Sequence, residues 1–190
     1  MRYIVGIDEA GRGPLAGPVA VGIVKIPLKF NKKFFKGIRD SKKLTSLGRE
    51  LWFARALKTQ KEGTLEFTVS LVSEKVIDRK GIIYAVRLGI NRCLANLEVP
   101  NNSQIYLDGS LRAPEKFRHQ LTVIKGDEKI PIISLASIVA KVTRDRKMIR
   151  LSQKYPKYNF HIHKGYGTRA HLRALKKYGP SPIHRQSYLR

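Results

Sequence analysis

Two periods of apolar and polar positions succeed one another along the chain, one suited to strands and one to helices. Residues 2–7 (RYIVGI) are dense in β-branched and aromatic side chains and predict a strand. Residues 9–17 (EAGRGPLAG) carry turn chemistry, so 18–26 (PVAVGIVKI) is expected to pair back as the second arm of a hairpin. A lysine-rich loop is expected over 29–43. Residues 46–57 then predict a helix with Leu47, Leu51, Ala54 and Leu57 on one face. Residues 65–72 (LEFTVSLV) predict a third strand. Residues 82–97 predict a helix with Ile83, Val86, Ile90 and Leu94 in register. Short buried strands are expected at 105–107 and 121–124, a long helix at 132–155, and a shorter one at 168–178 that Gly179 and Pro180 stop. Three early strands followed by helices alternating with two short strands suit a mixed α/β sheet covered by helices, rather than a bundle or a sandwich. Nothing repeats, and no stretch serves as an interdomain linker, so one domain is expected.

Composition narrows the partners. The 190 residues hold 38 Lys and Arg against 14 Asp and Glu, a formal charge of +24. An apolar fraction of 42% excludes a disordered basic tail, and the excess charge favours a polyanion such as nucleic acid. Cys93 is the sole cysteine, which excludes an internal disulfide and suits core packing. No secretory leader is expected, because the first apolar stretch gives way at Asp8 and Glu9. The longest apolar run, 130–140, is too short for a bilayer and is broken by Pro131 and Ser134. A cytoplasmic, monomeric protein is expected.

In so basic a chain the placement of the acids is informative. Asp8 and Glu9 are expected to close the first strand, Asp108 ends the strand at 105–107, and Asp127 follows the strand at 121–124. Neighbouring strands lie about 4.7–4.9 Å apart, so acids at adjacent strand exits can converge on one small volume. Gathered carboxylates need a positive partner. Hard oxygen donors suit Mg²⁺ or Mn²⁺, and a pair of such ions suits phosphodiester hydrolysis. Taken singly, each acid is better read as capping a turn or pairing with one of the many Lys and Arg; the four together are the stronger signal. Asp145, set between Arg144 and Arg146, is expected to be an ion-pair member on a helix surface.

Two loops offer further chemistry. Gly11, Arg12 and Gly13 leave the backbone free to approach a ligand, although most such loops are simply tight turns. Asp40, Ser41, Lys42 and Lys43 could hold a phosphate or form a solvated basic loop. In 161–168 (HIHKGYGT), His161 and His163 lack a carboxylate or thiol to complete a metal site. Tyr166, between two glycines, can stack on a base or sugar or pack a turn.

The motifs GIDEAGRGPLAGPV (6–19), DSKKL (40–44), YLDG (106–109), KGD (125–127), ASIVAKVTRD (136–145), HKGYGT (163–168) and GPSPIHR (179–185) together resemble bacterial ribonuclease HII, a type 2 ribonuclease H, in order and over essentially the whole chain. The resemblance implies a ribonuclease H-like fold, a mixed five-stranded sheet flanked by helices, in one domain whose residues 156–190 form a helical substrate-contacting segment. It implies an endonuclease that cuts the ribonucleotide-containing strand of RNA–DNA hybrids, single ribonucleotides embedded in duplex DNA included. Cleavage on the 5′ side would leave 3′-hydroxyl and 5′-phosphate ends by two-metal-ion catalysis, during replication and repair of DNA. Asp8, Glu9, Asp108 and Asp127 match the metal-binding catalytic carboxylates. Gly11, Arg12 and Gly13 match positions at the ribose 2′-hydroxyl, Tyr166 one on the neighbouring deoxyribose, and Ser41, Lys42 and Lys164 positions at substrate phosphates. Gly81, where many members carry Asn, Leu135, where a small residue is usual, and Tyr188, where Phe is usual, depart from the pattern. The rival readings are a non-enzymatic basic nucleic-acid-binding protein and a ribonuclease H-like DNA nuclease.

Overall fold

A computed structural model of the chain describes residues 3–38 and 44–189. Asp40, Ser41, Lys42 and Lys43 lie outside them. In chain order the elements are β1 (Tyr3–Ala10), β2 (Val19–Pro27), a 3₁₀ turn at Lys32–Phe35, α1 (Ser46–Lys61), β3 (Glu66–Val72), α2 (Glu74–Lys80) and α3 (Ile82–Asn96). There follow β4 (Gln104–Asp108), β5 (Gln120–Val123), α4 (Gly126–Lys129), α5 (Pro131–Lys154), α6 (Phe160–His163) and α7 (Arg169–Tyr178), with further 3₁₀ turns at Pro156–Tyr158 and Gln186–Tyr188. The five strands form one mixed sheet in the order β3-β2-β1-β4-β5. The pairs β1–β2 and β2–β3 are antiparallel, whereas β1–β4 and β4–β5 are parallel. The α/β class expected from the sequence is the class observed.

Strand alternation splits the core into two layers. Val5 and Ile7 of β1, Val19, Val21 and Ile23 of β2, and Ile105 and Leu107 of β4 pack against Val86, Ile90, Cys93 and Leu94 of α3. Cys93 is fully buried there, and burial pushes its thiol up to about 12. The opposite face, with Val24 and Ile26, meets α1 and α5 through Phe53, Leu135, Ala136 and Val139. Gly6 and Gly22 let α5 lie directly on the sheet: a Cβ at either would run into a backbone carbonyl of the helix, at Ile132 and Ala136 respectively. Those two carbonyls are one helical turn apart, so the two glycines set the seat of α5.

Three expectations from the pattern are corrected. β1 continues through Glu9 to Ala10, because both pair with β2, at Val21 and Ala20. The face of α1 expected to be buried is the exposed one: Leu47 is 70% and Leu51 63% exposed, while Phe53 and Ala56 are buried. Aromatic area decides this, since Phe53 packs edge-on against Phe67 and Trp52 against Phe34. Finally, β5 is an edge strand with Leu121 largely exposed, not a buried one, and Ile124 lies beyond it. Among the described residues no helix is long and apolar enough to cross a membrane.

Candidate active site

Parallel pairing of β1 with β4 brings their C-terminal ends to the same edge of the sheet. Ile7 pairs with Leu107, so Asp8 and Asp108 follow at equivalent positions. By alternation both face the layer containing α5. The β1–β2 hairpin holds Asp8 opposite Gly22, where α5 sits closest, and Ser137 of that helix hydrogen-bonds the Asp8 carboxylate. Asp8 Oδ1 also accepts from the Glu9 N–H at 2.7 Å. Asp108 Oδ1 accepts the N–H groups of Gly126 at 2.6 Å and Asp127 at 3.4 Å. Asp108 thereby caps the start of α4 and draws buried Asp127 to the same edge.

The electrostatics register the crowding. Asp8 is held well above the usual carboxylate range, first by burial and then by the charges of Glu9 and Asp108, with Ser137 opposing. Glu9 is also raised by burial, against the pull of Arg12, whose guanidinium lies 3.3 Å from Oε1. Glu9 Oε2 is buried with no hydrogen-bond partner among the described residues. Like charges sharing a low-dielectric site raise one another's pKa, and a cation relieves them. No three His, Cys, Asp or Glu side chains among the described residues form a finished ligand shell. The donor set nevertheless fits a hard divalent cation: it is all oxygen, its charges repel, and one buried oxygen is unpartnered.

The glycine-rich loop is tied down by two fully buried arginines. Arg185 donates to the carbonyl oxygens of Gly11 and Arg12, both at 2.7 Å, and of Gly17 at 3.0 Å. Arg144 of α5 donates to Pro18 at 2.9 Å, Lys164 at 3.0 Å and Ala16 at 3.2 Å, and burial brings its pKa down to about 10. Gly11 has φ +92°, and a side chain there would collide with the Arg144 guanidinium. Among the described residues nothing lies within 4 Å of a Cβ at Gly13. Tyr166 is 40% exposed, with Arg144 and Lys141 over its ring at 5.7 and 5.6 Å. It lines a cleft of about 280 Å³ together with Glu9, Gly11, Arg49, Ser137 and Lys141. Lys164 has φ +52°; its ammonium donates to the His161 carbonyl, and burial lowers its pKa.

The structure thus brings Asp8, Glu9 and Asp108 into one electrostatic neighbourhood, places Asp127 beside Asp108, and puts Gly11 and Tyr166 on the cleft that Glu9 lines. Ser41 and Lys42 fall outside the described residues. Asp145 pairs with Lys141 at 2.8 Å on α5, as its flanking charges suggest. Ser137, Arg144 and Arg185 were not singled out from the sequence. The spacing Ala140–Arg144–Met148, an arginine amid buried positions of one helix face, is the signal that could have found Arg144.

Comparison with known proteins decides the family. A family model described as Ribonuclease HII matches residues 5–190. The chain belongs to the ribonuclease HII family. Ribonuclease HII of Caldicellulosiruptor bescii is 43% identical over 100% of this chain and 87% of its own length, and that of Ruminiclostridium cellulolyticum is 44% identical over 100% and 71%. Among solved structures, ribonuclease HII of Archaeoglobus fulgidus, seen in complex with PCNA, superposes with a TM-score of 0.79 at 27% identity, covering 98% of this chain and 95% of that one. The Mn²⁺ complex of Bst-RNase HIII shares the fold, with a TM-score of 0.66 at 17% identity over 94% of this chain and 63% of that one. Membership makes the protein a type 2 ribonuclease H, acting on RNA–DNA duplexes.

The departures from the ribonuclease HII pattern have local accounts. Gly81 links α2 to α3 at φ +82°, in the left-handed region that favours glycine. Leu135 is fully buried in the layer beneath α5. Tyr188 adds a contact that a Phe lacks: its hydroxyl donates to the Arg12 carbonyl at 3.0 Å, joining Arg185 on the glycine-rich loop.

Proposed function

We propose that Asp8, Glu9, Asp108 and Asp127 hold divalent cations, Mg²⁺ or Mn²⁺, and that the protein cuts the ribonucleotide-containing strand of RNA–DNA hybrids and of duplex DNA bearing single ribonucleotides. The observation that carries this is the pair Asp8 and Glu9, both raised by burial and by the charge of Asp108, with a buried Glu9 oxygen that has no hydrogen-bond partner among the described residues, beside a rigid glycine-rich loop. Two bound ions would supply Lewis acidity and an activated water for hydrolysis on the 5′ side of the ribonucleotide, leaving 3′-hydroxyl and 5′-phosphate ends. The chain's own residues do the selecting. Ser137 and the Glu9 N–H fix the Asp8 carboxylate, and the Gly126 N–H fixes that of Asp108.

Arg144 and Arg185 use up the inward-facing carbonyls of the loop, so Gly11, Arg12 and Gly13 present a fixed backbone to the ribose 2′-hydroxyl. That group both donates and accepts, which is how RNA is told from DNA. The ring of Tyr166 packs on the next deoxyribose, where a second hydroxyl would clash. Lys164, with Ser41 and Lys42, receives substrate phosphates, and the basic surface, including segment 156–190, holds the duplex with an affinity that falls as salt rises. This activity fits removal of ribonucleotides during replication and repair by a cytoplasmic monomer.

Strand cleavage of a duplex with one embedded ribonucleotide, compared with its all-DNA counterpart, tests the reading. Cleavage of the first alone, abolished by chelator and restored by Mg²⁺ or Mn²⁺, is expected. Binding without cleavage would favour a non-enzymatic nucleic-acid-binding protein, and equal cleavage of both duplexes a DNA nuclease.

A further inference from the structure

Three histidines, His163, His171 and His184, are buried together, and His171 reaches the Tyr166 backbone. The rings of His163 and His171 stack at 4.4 Å, and Phe160 meets all three of them. Their hydrogen bonds leave one consistent arrangement of protons. The Ser181 N–H donates to His184 Nδ1 at 2.8 Å, so Nδ1 is the accepting nitrogen and Nε2 carries the proton. His184 Nε2 lies 3.0 Å from His171 Nε2, which must therefore accept. His171 then carries its proton on Nδ1 and donates it to the Tyr166 carbonyl at 2.8 Å. His163 follows the same logic: Nδ1 accepts the Gly165 N–H at 3.2 Å and Nε2–H donates to Tyr158 O at 2.7 Å. Every ring nitrogen of the three is used, and each ring must be neutral.

We infer that His184 and His171 form a proton-ordered relay from the Ser181 turn to the Tyr166 backbone, and that both are positioning residues for the Tyr166 ring. The inference rests on the proposed reading of Tyr166 as the group on the neighbouring deoxyribose. Its geometry explains how a half-exposed tyrosine between two glycines keeps one orientation. The N–H of Tyr166 is bound to His163 O at 2.9 Å, and its carbonyl accepts both from Thr168 N and from His171, each at 2.8 Å. Thr168 caps α7 by accepting from the His171 N–H, which sets that ring in the first turn.

The surroundings keep the relay neutral. Burial lowers the pKa of all three histidines, that of His184 to about 4; His163 lowers His171 further, and His171 and His163 lower His184. The titratable groups facing the pair are His163 from α6, which bears on both rings, His171, which bears on His184, and the phenol of Tyr158, whose ring lies 5.0 Å from His184. Lys164 and His161 bear in turn on His163.

Ring ¹⁵N NMR of the wild-type protein at neutral pH tests the relay directly. The expected result is the Nε2–H form of His184, the Nδ1–H form of His171, and a scalar coupling between their Nε2 nuclei across the shared hydrogen bond. A charged ring, or the opposite tautomer of either, would overturn the inference whatever the activity. The positioning role is read from the ratio of cleavage rates on a single-ribonucleotide duplex and on a continuous RNA–DNA hybrid. His171→Phe keeps the ring packing and removes the donor, and it should lower that ratio about tenfold or more, the scale of a small misplacement. Combined with Tyr166→Ala it should add nothing further. A His171→Phe ratio equal to wild type, with Tyr166→Ala clearly reduced, would refute the positioning role. If Tyr166→Ala itself leaves the ratio unchanged, the reading of Tyr166 fails, and the ring nitrogens alone decide whether the relay exists.

Discussion

Gly11 leaves no room for a side chain because Arg144 occupies the space that its Cβ would take. Two residues along, nothing among the described residues lies within 4 Å of a Cβ on Gly13. The two glycines of one motif therefore serve different ends, one packing and one open. Gly11→Ala combines a positive φ with a collision and should cost about 2–3 kcal/mol. Gly13→Ala should stay within roughly 0.5 kcal/mol of wild type in stability yet lose turnover, if its open space receives the ribose as proposed. Urea denaturation beside single-turnover cleavage checks both. A Gly13→Ala enzyme with full activity would contradict the loop's place at the ribose.

Arg185 satisfies three carbonyls at once, those of Gly11, Arg12 and Gly17. Arg185→Met keeps much of the volume and removes this donor from the Gly11 and Gly17 carbonyls, leaving Arg12 with Tyr188 alone, at about 1–3 kcal/mol for an unsatisfied group. Turnover should fall with stability, since Gly11 and Arg12 lose their Arg185 anchor. Tyr188→Phe removes only the hydroxyl bond to Arg12 and should cost about 1 kcal/mol. Thermal melts and cleavage rates of the two variants give the comparison, and a harmless Arg185→Met would show that the loop is held by something else.

Part of this organisation was legible in the sequence. The hairpin of β1 and β2 and the long α5 follow from period and turn residues, and the four acids stood out because a chain of +24 has few acids to place. What was not legible depends on pairing at a distance. β1 runs through Glu9 and Ala10 because β2 supplies partners, which overrides the turn chemistry that follows. The buried face of α1 is set by Phe53 meeting Phe67, not by the leucines that share a helical stripe. Arg144 and Arg185 were not singled out, because the carbonyls they bind are distant in sequence. They are buried because bent segments of chain elsewhere expose carbonyls that only long donors reach.

His184 links fold stability to pH. Its ordinary value of 6.5 falls to about 4 in the folded protein, so unfolding takes up a proton anywhere between. The stability due to the neutral ring is fully present above about 6.5 and is lost as pH falls toward about 4. His184→Asn should be less stable than wild type at pH 7, with a deficit that narrows as the pH falls through that window. Melting temperatures at several pH values give the difference, and a constant deficit would contradict a buried neutral ring.

Asp8 acts in the opposite sense. Burial and Glu9 raise its folded pKa above the model-compound value of 3.8, so its contribution is present below that value and lost as pH rises through the folded one. Without a divalent ion, Asp8→Asn should therefore melt above wild type at pH 7. Added Mg²⁺ or Mn²⁺ should reverse the order, stabilising wild type by about 2.7 kcal/mol at 100 times Kd and the variant less. Scanning calorimetry with and without the ion reads both halves.

Ser137, which hydrogen-bonds Asp8 from α5, is a partner to a carboxylate proposed to hold metal, not a proposed holder itself. Ser137→Ala should lower turnover about 10–100-fold, the usual cost of removing such a partner. Raising the Mn²⁺ concentration should recover part of the loss. No change in the metal dependence would leave Ser137 a packing residue only.

The most direct measurement compares wild type with Asp8→Asn and Asp127→Asn on a labelled duplex carrying one ribonucleotide, with product ends mapped and duplex binding measured alongside. The carboxylates, if they do the cutting, give a wild-type cut on the 5′ side of the ribonucleotide. Both variants should then bind the duplex normally and lose at least about 100-fold in cleavage, more than the removal of a mere partner costs. Near-wild-type cleavage by either variant would contradict the account.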